Sequence, residues 1–327
     1  MDVTADPMIV LDNVRKEYPN GTVAVDSLSL EVKRGEICAL VGPSGCGKTT
    51  SMRMINRLVE PSGGRIHVAG EDVTDVDPVS LRREIGYVIQ QVGLFPHRTV
   101  RRNVGTVCWL LGWDKADIEP RVDEMMQLVG LDPDELGDRY PHELSGGQRQ
   151  RVGVARGLAA RPPVLLMDEP FGAVDPLARD RLQEEFLSLQ RELGTTVVLV
   201  THDIEEAVRL GDRIAVLSQG GHLEQYDSPV AVLGAPANDF VAGFVGSDRL
   251  MKMMAVTPVI DALLTEPGPD AASLPQIPNT VMLREATVEL LQSDAGRVRV
   301  IDDSGSVKGE LSLDGIRRIL AEPRQAA

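Results

Sequence analysis

A glycine-rich loop between a buried strand and a helix constrains this chain more than any other feature. Residues 42–49 read GPSGCGKT and fit the pattern G-x-x-x-x-G-K-[ST]. The apolar run Ile37–Val41 precedes the loop, and a helical pattern begins near Lys48. Glycines let the backbone curl so that successive N–H groups point inward, and a helix N-terminus adds partial positive charge. The loop therefore predicts a phosphate-binding site. The alternative is a chance glycine-rich turn, which the flanking strand and helix argue against.

The residue types in this Walker A loop indicate a nucleotide ligand. In the pattern, Lys48 reaches the β- and γ-phosphates and the Thr49 hydroxyl ligates Mg²⁺. The loop and the residue after it supply the candidate ATP-binding residues Gly42, Pro43, Ser44, Gly45, Cys46, Gly47, Lys48, Thr49 and Thr50.

A second motif is an apolar strand that ends in two acidic residues. Residues 164–167 read VLLM and are followed by Asp168 and Glu169. Asp168 would hold Mg²⁺ directly or through water, and Glu169 would orient and deprotonate the attacking water. Alone, the motif is equally typical of a strand followed by a solvated acidic turn. With the Walker A loop, it predicts a P-loop NTPase.

The order of the remaining segments predicts an α/β fold with a largely parallel sheet. Residues 8–41 alternate as strands and hairpins, with turns at residues 19–21 and 33–35. Short strands are expected at 85–90, 164–167 and Thr196–Val200, and a hairpin at 213–224 turning at Gly220. Between them, residues 99–160 follow a helical pattern.

Composition narrows the classes of partner. The 327 residues carry a formal net charge of −15, which argues against a nucleic-acid partner and favours an ordinary soluble surface. The three cysteines fit no disulfide or metal pattern, so we expect a reducing compartment. The first eight residues do not read as a signal peptide, and no apolar run reaches the roughly 18 residues of a membrane helix. Any membrane role is therefore expected to be peripheral.

The motif at residues 144–148 is the most specific. Leu144, Ser145, Gly146, Gly147 and Gln148 precede a helix, so a hydroxyl and backbone N–H groups lie at a helix start. A second anion cradle suggests that this one serves a nucleotide held by another copy. Here the chain resembles the ABC ATPases, whose signature is LSGGQ, from about residue 8 to residue 246. The resemblance implies an ATPase with a helical signature subdomain at about 91–160, which sandwiches ATP in a head-to-tail dimer.

Four further positions match the family. The resemblance implies that Tyr18 stacks on adenine, that Gln90 contacts Mg²⁺ and the attacking water, and that Asp175 links the two subunits. It also implies that His202 contacts the γ-phosphate. Gln90 is preferred to Gln91 because it directly ends the apolar strand. The alternatives are an ordinary strand aromatic for Tyr18 and a structural histidine for His202. The metal-site candidates are thus Thr49, Gln90 and Asp168.

Other segments resemble one branch of the family. Residues 90–97 (QQVGLFPH), 140–143 (YPHE) and 224–229 (EQYDSP) are similar to importers of glycine betaine, carnitine and choline. That branch implies transmembrane permease partners, an indirect extracytoplasmic solute-binding protein, and a peripheral location on the cytoplasmic face of the membrane. Leu94 and Phe95 suit a docking patch for a permease helix. The alternative is that they pack into their own core.

The C-terminal region changes in composition. Residues 263–278 hold four prolines, which is typical of a linker. We therefore expect an ATPase domain at 1–246, a linker at 247–279 and a small α+β unit at 280–327. Residues 296–303 and 309–316 resemble half of a cystathionine β-synthase (CBS) domain pair. Gly315 stands where many nucleotide-binding CBS motifs have aspartate, which favours a packing or dimerisation role.

Three alternatives to an osmoprotectant importer remain at this point. An importer ATPase for a different small solute would carry the same motifs. A soluble ABC protein acting on ribosomes or DNA would usually carry two ATPase domains or long coiled coils, and this chain has one Walker A loop. A regulatory module that has lost hydrolysis is disfavoured by the intact Lys48, Glu169 and His202.

Overall fold

The computed structural model describes residues 7–90, 93–259 and 264–321. The chain divides into two compact units, and the division falls between Leu223 and Glu224. No helix within these described ranges is both long enough and apolar enough to cross a bilayer.

The first unit contains two sheets. Its strands in chain order are β1 (Pro7–Glu17), β2 (Val23–Lys33), β3 (Ile37–Val41), β4 (Gly63–Val68), β5 (Glu71–Asp72), β6 (Ile85–Val88), β7 (Val164–Asp168), β8 (Thr196–Val200), β9 (Arg213–Ser218) and β10 (His222–Asp227), of which β10 continues past Leu223. One sheet is antiparallel with the order β2-β1-β4-β5, and the other has the order β10-β9-β3-β8-β7-β6. The predicted strands, hairpins and turns are confirmed, except that the strand predicted at 85–90 ends at Val88, two residues before Gln90. The separate antiparallel sheet adds to what the sequence predicted.

The second of these sheets brings three strand ends together. β6, β7, β8, β3 and β9 run parallel, and every residue of β3, β7 and β8 is buried. Continuous apolar strands of this kind belong to the centre of a parallel sheet. Because Asp168 lies in register with Val200, and Met167 with Val88, the carboxyl ends of β6, β7 and β8 meet at one edge. That edge is where open α/β sheets bind ligands.

Helices connect the strands, and those between residues 99 and 160 lie where the helical pattern of apolar residues predicts them. The helices of the first unit are α1 (Lys48–Ile55), α2 (Pro78–Glu84), α3 (Val100–Val104), α4 (Thr106–Leu110), α5 (Lys115–Leu128), α6 (Pro133–Leu136), α7 (Gly146–Ala159), α8 (Pro176–Leu193) and α9 (Ile204–Leu210). One hydrophobic cluster includes Val104 of α3, Met125 of α5, Val152 of α7 and Leu165 of β7. The predicted helical region therefore shares its core with the parallel sheet.

The second unit has its own small core. Its helices are α10 (Pro229–Gly234), α11 (Asp239–Val245), α12 (Arg249–Val256), α13 (Leu283–Gln292) and α14 (Leu313–Ala321), and its sheet has the order β11 (Gln276–Pro278), β12 (Arg297–Ile301), β13 (Val307–Ser312). Met254 of α12 and Ile277 of β11 belong to the same cluster as Leu290 and Val298. The range 247–279 thus carries packed secondary structure. The division into ATPase domain, linker and CBS-like unit stays a prediction.

Candidate active site

The loop at residues 42–49 joins the end of β3 to the start of α1, as the sequence predicts. Gly42 has a φ of 150° and Gly47 a φ of 109°. A Cβ on Gly42 would lie 2.2 Å from the Leu217 carbonyl oxygen, and one on Gly47 would lie 2.4 Å from that of Ala24. Only glycine fits these two positions, so the loop conformation depends on the motif glycines.

The Lys48 side chain lies inside the loop that it belongs to. It is buried, and its Nζ donates to the carbonyl oxygens of Gly42 at 2.7 Å and Pro43 at 3.0 Å. Its Nζ also lies 3.8 Å from the Cys46 Sγ. The loop therefore holds a cation at its centre, which suits a phosphate group. Ser44 and Gly45 are exposed, and Thr50 is half-buried on α1.

Thr49 and Asp168 form a small oxygen cluster beside the loop. The Thr49 hydroxyl donates to Asp168 Oδ1 at 3.1 Å, while the buried Asp168 Oδ2 has no hydrogen-bond partner. Removal from water raises the pKa of the Asp168 carboxyl, and the Thr49 hydrogen bond opposes that effect. A buried carboxylate oxygen without a partner, next to a hydroxyl, fits Mg²⁺, which prefers oxygen ligands. No group of three His, Cys, Asp or Glu side chains with metal-site spacing occurs in the described ranges.

Three candidate catalytic side chains meet at the ends of β6, β7 and β8. Gln90 Nε2 donates to Glu169 Oε2 at 2.9 Å, and His202 Nδ1 lies 3.2 Å from Glu169 Oε1. The side chain of Glu169 is 24% exposed and that of His202 is 67% exposed. A carboxylate held between an amide and an imidazole, and open to solvent on one side, is suited to accept a proton from water. Gln91 lies outside the described residues.

The signature residues form the start of α7. The Ser145 Oγ accepts from Gln148 N at 3.2 Å, and Gln148 Oε1 accepts from Ser145 N at 2.8 Å. This reciprocal capping box leaves Ser145 and Gly146 exposed, while Leu144 is buried beneath them. The exposed helix start fits the anion-binding arrangement that the sequence predicts. Gly147 lies close to the segment before Asp175, since a Cβ on it would be 3.2 Å from the Ala173 carbonyl oxygen.

Two other candidates take ordinary structural positions. Tyr18 is 36% exposed beside a turn, and Lys16 Nζ lies 5.2 Å from its ring centroid. Asp175 caps α8, because its Oδ1 accepts from Ala178 N at 3.0 Å. An exposed aromatic ring and a capping carboxylate are both compatible with the roles that the family resemblance implies, and those roles stay predictions.

The two apolar residues after Gln90 differ in exposure. Leu94 packs against the main core, whereas Phe95 is 39% exposed. Asn103 holds the Phe95 backbone through hydrogen bonds to both its N–H and its carbonyl, and the Arg98 guanidinium lies 4.9 Å from the Phe95 ring. Of the predicted docking pair, the structure therefore offers Phe95 as the residue free to contact a partner.

Sequence reasoning missed Gln150, which lies two residues after the signature. It is buried, its Nε2 donates to the Glu169 carbonyl at 2.7 Å, and its Oε1 accepts from Ala173 N at 2.9 Å. The signal in the sequence was weak: Gln150 is the one polar residue on the buried face of α7, a helix that also carries arginine and glutamine.

Comparisons with known proteins agree with this geometry. Residues 25–172 match the family model described as ABC transporter. The osmoprotectant import ATP-binding protein OsmV of Salmonella typhimurium is 49% identical over 306 residues, covering 92% of this chain and 78% of that protein. The glycine betaine/carnitine/choline transport ATP-binding protein OpuCA of Bacillus subtilis is 45% identical over 341 aligned positions, covering 96% and 89%.

A solved structure also matches a large part of the chain. The ATP-binding cassette MJ0796, a dimer in a post-hydrolysis state bound to ADP and Pi, is 33% identical with a TM-score of 0.64. The match covers 68% of this chain and 99% of that one. The chain thus shares its fold with a solved ATP-binding cassette.

Proposed function

Since this chain belongs to the ATP-binding subunits of ABC transporters, a family of ATPases, we propose that it powers an importer for an osmoprotectant. It binds ATP and Mg²⁺ at the Walker A loop, hydrolyses ATP with Glu169 as general base, and drives uptake of a solute such as glycine betaine, choline or carnitine. The similarity to osmoprotectant importers supports the class of solute, and the geometry of the active site supports the hydrolysis of ATP.

One observation carries the catalytic part of this proposal. Gln90, Glu169 and His202 follow the ends of three different strands, and both side-chain contacts to the Glu169 carboxylate are within 3.2 Å. They lie at the same sheet edge as the Thr49–Asp168 pair. This edge of the sheet therefore holds the parts that NTP hydrolysis requires, which are a base, two groups that orient it and a metal-binding pair.

Binding uses groups that are already oriented. The Lys48 ammonium exchanges its contacts to the Gly42 and Pro43 carbonyls for β- and γ-phosphate oxygens. Residues 42–47 and Thr50 supply the loop around the phosphates, and Tyr18 stacks on adenine. Thr49 and Asp168 hold Mg²⁺ together with Gln90, and the ion supplies charge neutralisation to the phosphates when bound.

Hydrolysis then requires one proton transfer. A water molecule held by Glu169 and Gln90 attacks the γ-phosphorus while the bond from that phosphorus to the bridging β–γ oxygen breaks. The water's proton passes to the Glu169 carboxylate, and ADP leaves with the electron pair of the broken bond. His202 contacts the γ-phosphate and, through its Nδ1, keeps the carboxylate in position.

The second set of anion contacts comes from another copy. Ser145, Gly146, Gly147 and Gln148 form a helix start, exposed at Ser145 and Gly146, that is separate in sequence from the chain's own Walker A loop. We propose that it faces the ATP of a second copy in a head-to-tail dimer, with Asp175 at the junction. The dimeric form of the cassette MJ0796 supports this arrangement.

The extent of similarity supports the osmoprotectant class. The alignments with OsmV and OpuCA cover 92% and 96% of this chain and so continue beyond the ATPase unit, whereas MJ0796 covers 68%. A relative that also shares the C-terminal unit is a better guide to the transported solute than one that shares only the ATPase. Permease subunits at the cytoplasmic face of the membrane, with Phe95 at the contact, complete the proposal, and an extracytoplasmic solute-binding protein acts indirectly.

The test separates ATPase from transport. Purified full-length chain should release phosphate from ATP only with Mg²⁺, and Lys48→Ala should abolish this. Cells lacking the chain should lose uptake of labelled glycine betaine, choline or carnitine at high osmolarity. Wild-type chain should restore that uptake and Glu169→Gln should not. Unchanged uptake of all three solutes would leave an importer for a different solute or a non-transport ATPase as the function.

A further inference from the structure

The backbone of Glu169 has an uncommon conformation for its residue type. Its φ is 48°, in the left-handed region that non-glycine residues avoid. Such a conformation persists only where the surroundings hold it, and it is enriched at functional sites. Because Cβ direction follows from φ and ψ, this conformation also determines where the Glu169 carboxylate points.

Three hydrogen bonds hold the backbone of this residue. The Glu169 N–H donates to the Val200 carbonyl at 2.9 Å, which extends the pairing of β7 with β8 by one residue. The Glu169 carbonyl accepts from Gln150 Nε2 at 2.7 Å and, more weakly, from Gly172 N at 3.3 Å. The Val200 contact belongs to the sheet and the Gly172 contact to the residue's own turn, whereas the Gln150 contact comes from a side chain on α7.

The other end of the Gln150 amide holds the segment that leads to α8. Its Oε1 accepts from Ala173 N at 2.9 Å, two residues before Asp175. Gln150 is 3% exposed, so its own amide is withdrawn from water, and losing either contact would leave a buried polar group without that partner. One planar amide therefore fixes the spacing between the backbone of Glu169 and the turn at Ala173.

We infer that Gln150 is a positioning residue for ATP hydrolysis: it clamps the backbone of Glu169 in the conformation that aims the carboxylate between Gln90 and His202. Because Gln150 lies on the helix that starts at Ser145, the clamp also ties the signature helix to the chain's own base. The inference rests on the proposed function, since it assigns a role within that active site.

The first experiment removes the amide and keeps its size. Gln150→Met in the full-length chain should lower kcat on the order of 10–100-fold, since a displacement of about 1 Å in a catalytic group costs up to ~10²-fold. The KM for ATP should stay within about threefold, because the Walker A loop and Tyr18 are untouched.

A matched control separates positioning from general stability. Gln190 is also a buried glutamine whose Nε2 donates to backbone carbonyls, those of Gly35 and Thr195, both at 2.8 Å. Gln190→Met should lower the melting temperature as Gln150→Met does, while its kcat stays within about twofold of wild type. Equal kcat losses in the two variants would overturn the positioning role.

The second variant tests the hydrogen bond itself. Gln150→Glu keeps an acceptor for Ala173 N, but its ionised carboxylate would face the Glu169 carbonyl oxygen. Burial favours the protonated form, which donates to that carbonyl again, so the variant's kcat relative to wild type should rise at least about threefold from about pH 8.5 to about pH 6. A ratio independent of pH would contradict the clamp.

Hydrogen exchange provides a readout without turnover. The Ala173 N–H should exchange faster in Gln150→Met than in wild type or Gln190→Met, because it loses its acceptor. If the Ala173 N–H exchanges faster in Gln150→Met than in wild type, but wild type shows no Mg²⁺-dependent ATPase activity, then the proposed function fails and the structural role of Gln150 stands. If the Ala173 exchange rate is the same in all three proteins, the clamp is wrong whatever the activity.

Discussion

The substitution Glu169→Gln tests the assignment of the general base most directly. The amide has nearly the shape of the carboxylate, and one oxygen still accepts from Gln90 Nε2, which lies 2.9 Å from Glu169 Oε2 in the wild-type chain. The new amide N–H₂ can then face the His202 imidazole, which lies 3.2 Å from Oε1. Both contacts have a compatible replacement, so the fold and ATP affinity should change little. The amide cannot take a proton from water.

The expected loss is therefore confined to turnover. General-base catalysis contributes on the order of 10²–10⁴-fold, so kcat should fall by that factor, or about 3–5 kcal/mol in the activation barrier. The dissociation constant for ATP should stay within about twofold, because Lys48 and the rest of the Walker A loop are unchanged. Steady-state phosphate release and equilibrium ATP binding measure the two quantities separately.

The same variant reports on dimerisation. ATP that is bound but not hydrolysed should hold two copies together, so size exclusion with ATP and Mg²⁺ should show a dimer. Lys48→Ala, which removes the cation at the centre of the loop, is the control that should stay monomeric. Turnover within about threefold of wild type would refute Glu169 as the base. A Glu169→Gln protein that binds ATP and stays monomeric would refute the shared site.

Three further predictions follow from single side chains. Ser145→Arg should block hydrolysis while ATP affinity stays within about threefold. It should also lower the free energy of unfolding by about 1 kcal/mol, because the N-cap of α7 is lost. Equal losses of kcat and ATP affinity would count against a site that acts on the ATP of a second copy. Phe95→Asp should abolish permease-dependent stimulation of the ATPase yet change the unfolding free energy by only about 0.5 kcal/mol, since the Asn103 contacts are to backbone; a large fall in melting temperature would show a core residue instead. Burial raises the pKa of the Glu206 carboxyl, so the folded chain keeps a proton that the unfolded chain releases, and stability falls as pH rises between the two pKa values. Glu206→Gln should therefore raise the melting temperature most at pH values above the pKa of the folded chain, and least at pH values near or below the ordinary carboxyl pKa. Calorimetry across that pH range measures the difference. A gain in melting temperature that does not depend on pH would contradict the raised pKa of Glu206.

The sequence by itself determined the parts of the site that depend on local chemistry. The loop around Lys48 is specified by its own glycines, because Gly42 and Gly47 adopt conformations and close approaches that no side chain allows. The cap at Ser145 is likewise encoded within four residues. Apolar runs of four or five residues were enough to locate β3, β7 and β8, since a buried parallel strand needs no polar face.

Only the tertiary structure decided which of these local pieces work together. Gln90 and Glu169 are 79 residues apart in sequence, and their contact depends on β6 lying beside β7. Strand order follows from long-range packing that a local pattern does not encode.

Gln150 shows the same limit most clearly. In the sequence it is one polar residue in a helix rich in arginine and glutamine, whereas in the fold its amide faces the Glu169 carbonyl and the Ala173 N–H. The role of a side-chain hydrogen bond depends on its partner. Both partners of Gln150 are backbone groups, and the residue types at positions 169 and 173 do not indicate that their backbone atoms lie beside it.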